Sequence, residues 1–95
     1  MLANTVRHRS VASDIERSIL ALLDARAPRA SICPSEVARA VGKAQGENWR
    51  DLMLATREAA IRMALSGGVL ITRKGEVLDP RALGRGPIRL QKPLQ

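Results

Sequence analysis

Few residues in this chain carry reactive chemistry, and their scarcity narrows what it can do. The 95 residues hold one cysteine, one histidine, one tryptophan, and no phenylalanine or tyrosine. Cys33 stands just before Pro34, Ser35 and Glu36, a helix-opening pattern. Backbone N–H groups and the dipole at a helix N-terminus favour a thiolate, which makes Cys33 a candidate redox thiol. The competing reading is a small buried capping residue, because free cysteine is among the most buried residue types. Nucleophilic catalysis also needs a base within reach, and the one imidazole, His8, falls in a stretch without periodicity. Asp51 and Glu58 could align on one helix face, but a carboxylate must be buried or closely partnered to act as an acid or base near neutrality. The expectation is a binding protein, not an enzyme, with no cofactor. One cysteine and one histidine likewise leave no Cys/His zinc site and no internal disulfide.

Charge is the stronger chemical signal. The formal net charge is +7, and it is carried at the two ends. Residues 1–12 contribute Arg7 and Arg9, residues 80–95 contribute Arg81, Arg85, Arg89 and Lys92, and neither stretch holds an acid. Such groups on a positioned scaffold suit phosphate contact, the dominant source of affinity for nucleic acid. Without aromatic platforms for base stacking, the expected partner is double-stranded DNA and not a single strand. The candidate contacts are Arg50 and Arg57 on the longest helical pattern, Arg73 and Lys74 at a tight turn, and Arg81, Arg85 and Arg89 beyond it. Glu47, Asp51 and Glu58 on the same helical stretch oppose phosphate approach, although an acid can accept from a cytosine amino group.

These residues need elements to hold them. Asn48 to Ser66 is the longest helical pattern, with Trp49, Leu52, Met53, Thr56, Ala60 and Met63 in one band. Asn48 suits the N-cap, and Gly67-Gly68 ends the helix. Leu54, Ile61 and Leu65 make a second apolar stripe, read first as further core and otherwise as a surface for a homodimer or protein partner. Upstream, Ser13 and Glu16 have capping-box spacing, and Ile15, Ile19, Leu22 and Leu23 predict a first helix over Asp14 to Ala27. Ser31-Ile32 could add to a sheet edge. Pro34 opens a second helix, buried along Val37, Ala38 and Val41, which Gly42 closes. Downstream, residues 69–79 predict a hairpin turning at Lys74-Gly75, with Arg73 opposite Glu76 and Ile71 opposite Leu78. Ile88 to Leu90 could add a third strand. The chain divides into a flexible basic arm over 1–12, one domain over 13–91 and a tail over 92–95. No apolar run is long enough for a membrane span and the first residues lack a signal-peptide core, so a cytoplasmic setting is expected.

The order helix, short strand, helix, turn, long helix, hairpin is that of a winged helix, a helix-turn-helix carrying a β-hairpin wing. The predicted fold class is mainly α with a small antiparallel sheet. The stretches ICPSEVARAVG, NWRDLM, ITRKGEVLDP and GPIRL resemble the small bacterial winged-helix-like family catalogued as domain of unknown function 3253. The segment KAQGE before Asn48 is longer than that pattern. The resemblance implies the fold and brings no activity with it. On residues and fold together, the expected function is DNA binding by a small transcriptional regulator or accessory module. The alternative is an interaction module that binds no nucleic acid.

Overall fold

A computed structural model describes residues 2–93, with side chains from Val11 onward. The protein is α+β, with three helices and a four-stranded antiparallel sheet. Helix α1 spans Leu2–Asp24, α2 Pro34–Gln45 and α3 Met53–Leu65, the last preceded by a 3-10 turn over Trp49–Leu52. The strands are β1 (Ser31–Ile32), β2 (Leu70–Arg73), β3 (Glu76–Val77) and β4 (Arg89–Gln91), in the spatial order β1-β4-β2-β3.

Ile15, Ile19 and Leu23 turn to one side of α1 at a spacing of four and are buried there. The start of this helix differs from the sequence expectation. Residues 2–12, expected as an arm, are helical, so Ser13 is interior to α1 and caps nothing. No glycine or proline occurs before Ser13 to interrupt the helix. Glu16 instead faces α3, where it meets Arg62 at 3.4 Å. At the other end the helix stops at Asp24, and a turn follows in which the Arg26 amide donates to the Leu23 carbonyl. The side chains of Arg7, His8 and Arg9, and the last two residues of the tail, lie outside the described residues.

Gly42 does not close α2 as the sequence suggested. The helix continues to Gln45, and Gly46, at φ 70°, turns the chain out while its N–H bonds the Gly42 carbonyl. Gly42 is needed for a different reason. A β-carbon there would lie 2.7 Å from the Glu47 carbonyl oxygen and 3.3 Å from the Trp49 backbone. The absent side chain lets the 47–49 connection cross directly over α2. The KAQGE segment is thereby absorbed, its first three residues extending α2 and its glycine ending it.

Asn48 caps the next element as expected, its side-chain oxygen accepting from the Arg50 amide at 3.0 Å. The expected single helix is a 3-10 turn that passes into α3 at Met53. Leu52, Thr56, Ala59, Ala60 and Met63 form its buried side. Thr56 is tolerated there because its hydroxyl donates to the Leu52 carbonyl at 2.8 Å.

The hairpin register is the one expected: Arg73 pairs with Glu76, and the Leu78 amide donates to the Ile71 carbonyl at 2.8 Å. The chain then departs from the sheet and returns as β4 between β1 and β2. This places Ile32, Leu90 and Ile71 in one cross-strand row, all within 1 % of complete burial. The row is the floor of the core, covered by α1 and α3, against which α2 packs.

Two substitutions test this packing. Leu52→Ala should cost about 2–5 kcal/mol through lost burial and the cavity left behind, read as a lower urea midpoint. Gly42→Ala should also destabilise, although alanine is the better helix former by about 1 kcal/mol. A raised midpoint for Gly42→Ala would show that nothing crowds that position.

Candidate nucleic-acid interface

The segment between β3 and β4 is a loop held in place by two kinds of contact. Leu83 and Ile88 plug its underside into the core, 7 % and 4 % exposed. Arg73, at the end of β2, then binds its carbonyls. Its Nη1 donates to Leu83 O at 2.8 Å, Nε to Pro87 O at 3.0 Å and Nη2 to Gly86 O at 3.3 Å. From the other side Arg57 on α3 donates to Gly84 O at 3.0 Å. Asp79 starts the loop as a turn, its carboxylate accepting from the Arg81 amide and its carbonyl from the Ala82 amide, both at 2.9 Å. A loop carrying Arg81 and Arg85 is thus fastened to both the helix and the sheet.

Arg73 and Arg57, expected as phosphate contacts, are therefore first of all structural. A guanidinium bound to neutral carbonyls nevertheless keeps its charge and part of its five donors. Arg89 behaves similarly, donating from Nε to Ser31 Oγ at 2.6 Å and from Nη2 to Ser31 O at 3.1 Å. Lys74 stands exposed at the turn with φ 52°, and Arg85 is exposed on the loop. Arg81 alone of these has a carboxylate in reach, Asp79 at 3.8 Å.

The helical side of the molecule is arranged differently. Arg17 pairs with Asp14, Arg26 with Glu36, Arg62 with Glu16, and Lys92 with Asp24. The hairpin and loop hold two acids, Glu76 and Asp79, against Arg73, Lys74, Arg81, Arg85 and Arg89, and so retain a positive excess.

Arg50 sits apart from that group. Its guanidinium carbon lies 4.5 Å from the centroid of the half-buried Trp49 ring. Arg39 of α2 reaches the same ring at the same distance. Sequence reasoning missed Arg39, since nothing in the linear pattern joins it to an indole ten residues on. Asp51 and Glu58 are both exposed on the α3 side.

The second apolar stripe is not core. Leu54 is 69 % and Leu65 48 % exposed, and only Ile61 packs partly against the interior. The α1, α2 and sheet contacts are already satisfied by the Thr56 and Met63 side of α3, which leaves this stripe turned outward.

Cys33 is half-buried at the start of α2. Its Sγ accepts from the Ser35 hydroxyl at 3.1 Å, and its N–H donates to Glu36 Oε2 at 2.8 Å. That backbone hydrogen bond, with Arg26 next in weight, holds the Glu36 carboxyl below the usual glutamate range. Among the described residues no three His, Cys, Asp or Glu side chains lie together to hold a metal. Nor is any helix there long and apolar enough to cross a membrane.

A family model described as "Protein of unknown function (DUF3253)" matches residues 12–93. No curated protein matches the chain.

Two outcomes check this geometry. Arg73→Lys keeps the charge but loses the fork, so amide exchange at Ala82 should speed up at least about tenfold. Glu36 has its folded-state pKa depressed, so its stabilisation is present above the unfolded value and fades as pH falls through the folded one. Glu36→Gln should therefore lower the melting temperature at pH 7, and the gap should close as pH drops below about 4. A gap of equal size at pH 3 would mean the carboxylate charge contributes nothing.

Proposed function

We propose that this chain, a member of the DUF3253 family of unknown function, is a double-stranded DNA-binding module of the winged-helix type. It acts as a small cytoplasmic regulator or accessory protein without catalysis of its own. The observation that carries the reading is the segregation of charge. On the helical side Arg17, Arg26, Arg62 and Lys92 are matched with carboxylates. Arg57, Arg73, Lys74, Arg85 and Arg89 are bound to carbonyls or hydroxyl, or stand exposed, and join no ion pair among the described residues, although Glu76 lies opposite Arg73 in the hairpin. Positive charge held on a rigid loop and turn is what phosphate contact requires, because ordering costs are met in folding and not at binding. The turn at Lys74-Gly75 serves as the wing.

In this arrangement α3 is not the main source of affinity. Asp51, Leu54 and Glu58 make its exposed side acidic and apolar. The backbone is gripped by the wing and loop, and Asp51 either reads a cytosine amino group or tunes affinity downward.

Leu54 favours a second reading, an interaction module that docks a protein or a second copy through α3. A dimer in sedimentation velocity that Leu54→Glu abolishes, together with no DNA binding, would put that reading first.

The DNA reading predicts a salt-sensitive shift of mixed duplex at micromolar protein. Lys74→Ala and Arg85→Ala should each weaken binding to all sequences and reduce the log–log salt slope by about 0.9. Arg62→Ala, which removes a cation paired with Glu16, should leave the slope unchanged. Absence of any salt-sensitive shift would remove the proposal.

A further inference from the structure

One cleft of about 300 Å³ opens at the end of the sheet, where β1 passes into α2, β2 passes into the turn, and β4 begins. Its walls are Cys33, Arg73, Lys74, Pro87, Ile88 and Arg89. The volume is at the small end of the range for organic ligands. Its composition is unusual for a surface depression. Apolar Pro87 and Ile88 share its lining with three cationic residues, Arg73, Lys74 and Arg89.

Two of those cations are fixed. Arg73 is held by Leu83 O, Pro87 O and Gly86 O, and Arg89 by Ser31. Arg89 uses Nε and Nη2 in those bonds, so its Nη1 donors remain for another acceptor. Lys74 lines the cleft from the exposed turn. Two acids stand near these cations: Glu76, exposed opposite Arg73 in the hairpin, and Glu36, whose carboxylate is already engaged by the Cys33 N–H and by Arg26 at 2.8 Å. No ion pair joins Arg73, Lys74 or Arg89 to a carboxylate among the described residues.

We propose that this cleft binds a small organic carboxylate, a ligand with an apolar body and one anionic end. The apolar body lies against Pro87 and Ile88, and the carboxylate bridges the Arg89 Nη1 donors and Lys74. A dry wall beside fixed guanidinium groups strengthens the ion contact relative to water. The site is defined by cleft and charge alone, and stands whether or not DNA binds.

The test uses the full chain and benzoate as probe, with benzamide and inorganic phosphate as comparators at matched ionic strength. Amide resonances of Cys33, Ile88 and Arg89 should move saturably with benzoate, half-maximal at roughly millimolar concentration or below, as a nine-heavy-atom ligand allows. Benzamide, which keeps the ring and loses the charge, should bind at least about tenfold more weakly. Lys74→Gln, a change at an exposed turn, should weaken benzoate severalfold. Because Cys33 is the single cysteine, benzoate should also slow its modification by N-ethylmaleimide. Three results would overturn the proposal: unmoved amides at 88 and 89, equal binding of benzamide, or phosphate binding as well as benzoate. The last would leave the apolar wall without a role and reduce the cleft to a site for phosphate.

Discussion

The fork made by Arg73 is the interaction on which the basic side of this protein depends. β4 must lie between β1 and β2 to complete the row of Ile32, Leu90 and Ile71. The chain can reach that place only by leaving β3 and looping back. Such a return leaves carbonyls facing no strand partner, of which the half-buried one at Leu83 must be satisfied within the protein. Arg73 meets three of them with one planar group at the end of β2, and Arg57 meets a fourth from α3. Leu83 joins the two requirements, since its side chain fills the core and its carbonyl accepts from Arg73.

That solution has an electrostatic consequence. Apart from Asp79 at its start, no carboxylate among the described residues bonds the loop. Because carbonyls accept the bonds, the guanidinium charges remain, and they reinforce Lys74, Arg85 and Arg89 nearby. On the helical side the same residue types are matched with Asp14, Glu16, Asp24 and Glu36, as exposed ion pairs worth little individually. Those pairs lower the positive charge around Arg17, Arg26, Arg62 and Lys92. The proposed DNA surface and the cleft at Arg89 both follow from this division, and each rests on charge held by the fold.

Much of the fold was legible because it is local. Ile15, Ile19 and Leu23 announce α1 by spacing, Asn48 marks the entry to α3, and Lys74-Gly75 fixes the hairpin register. What misled were signals with two meanings. Ser13 and Glu16 have the spacing of a cap but sit inside a longer helix, and Gly42 looks like a terminator while serving a close backbone crossing. The site was less legible than the fold. An arginine recorded as a cation on a hairpin gives no sign that carbonyls ten to fourteen residues away will take its donors. The Arg39 and Arg50 contacts to Trp49, and the outward turn of Leu54, also depend on how elements pack and not on their order.

Loop order and loop charge are separable at Arg73, and their separation is the most direct test of the account. Duplex affinity would be measured across a salt series for the wild-type protein and for Arg73→Lys. Lysine retains one positive charge but cannot make the three-carbonyl fork. The account predicts parallel log–log salt plots, with the variant uniformly weaker because its basic loop is no longer held in place. Unchanged affinity would contradict it, by showing that the charges act without the fork that positions them.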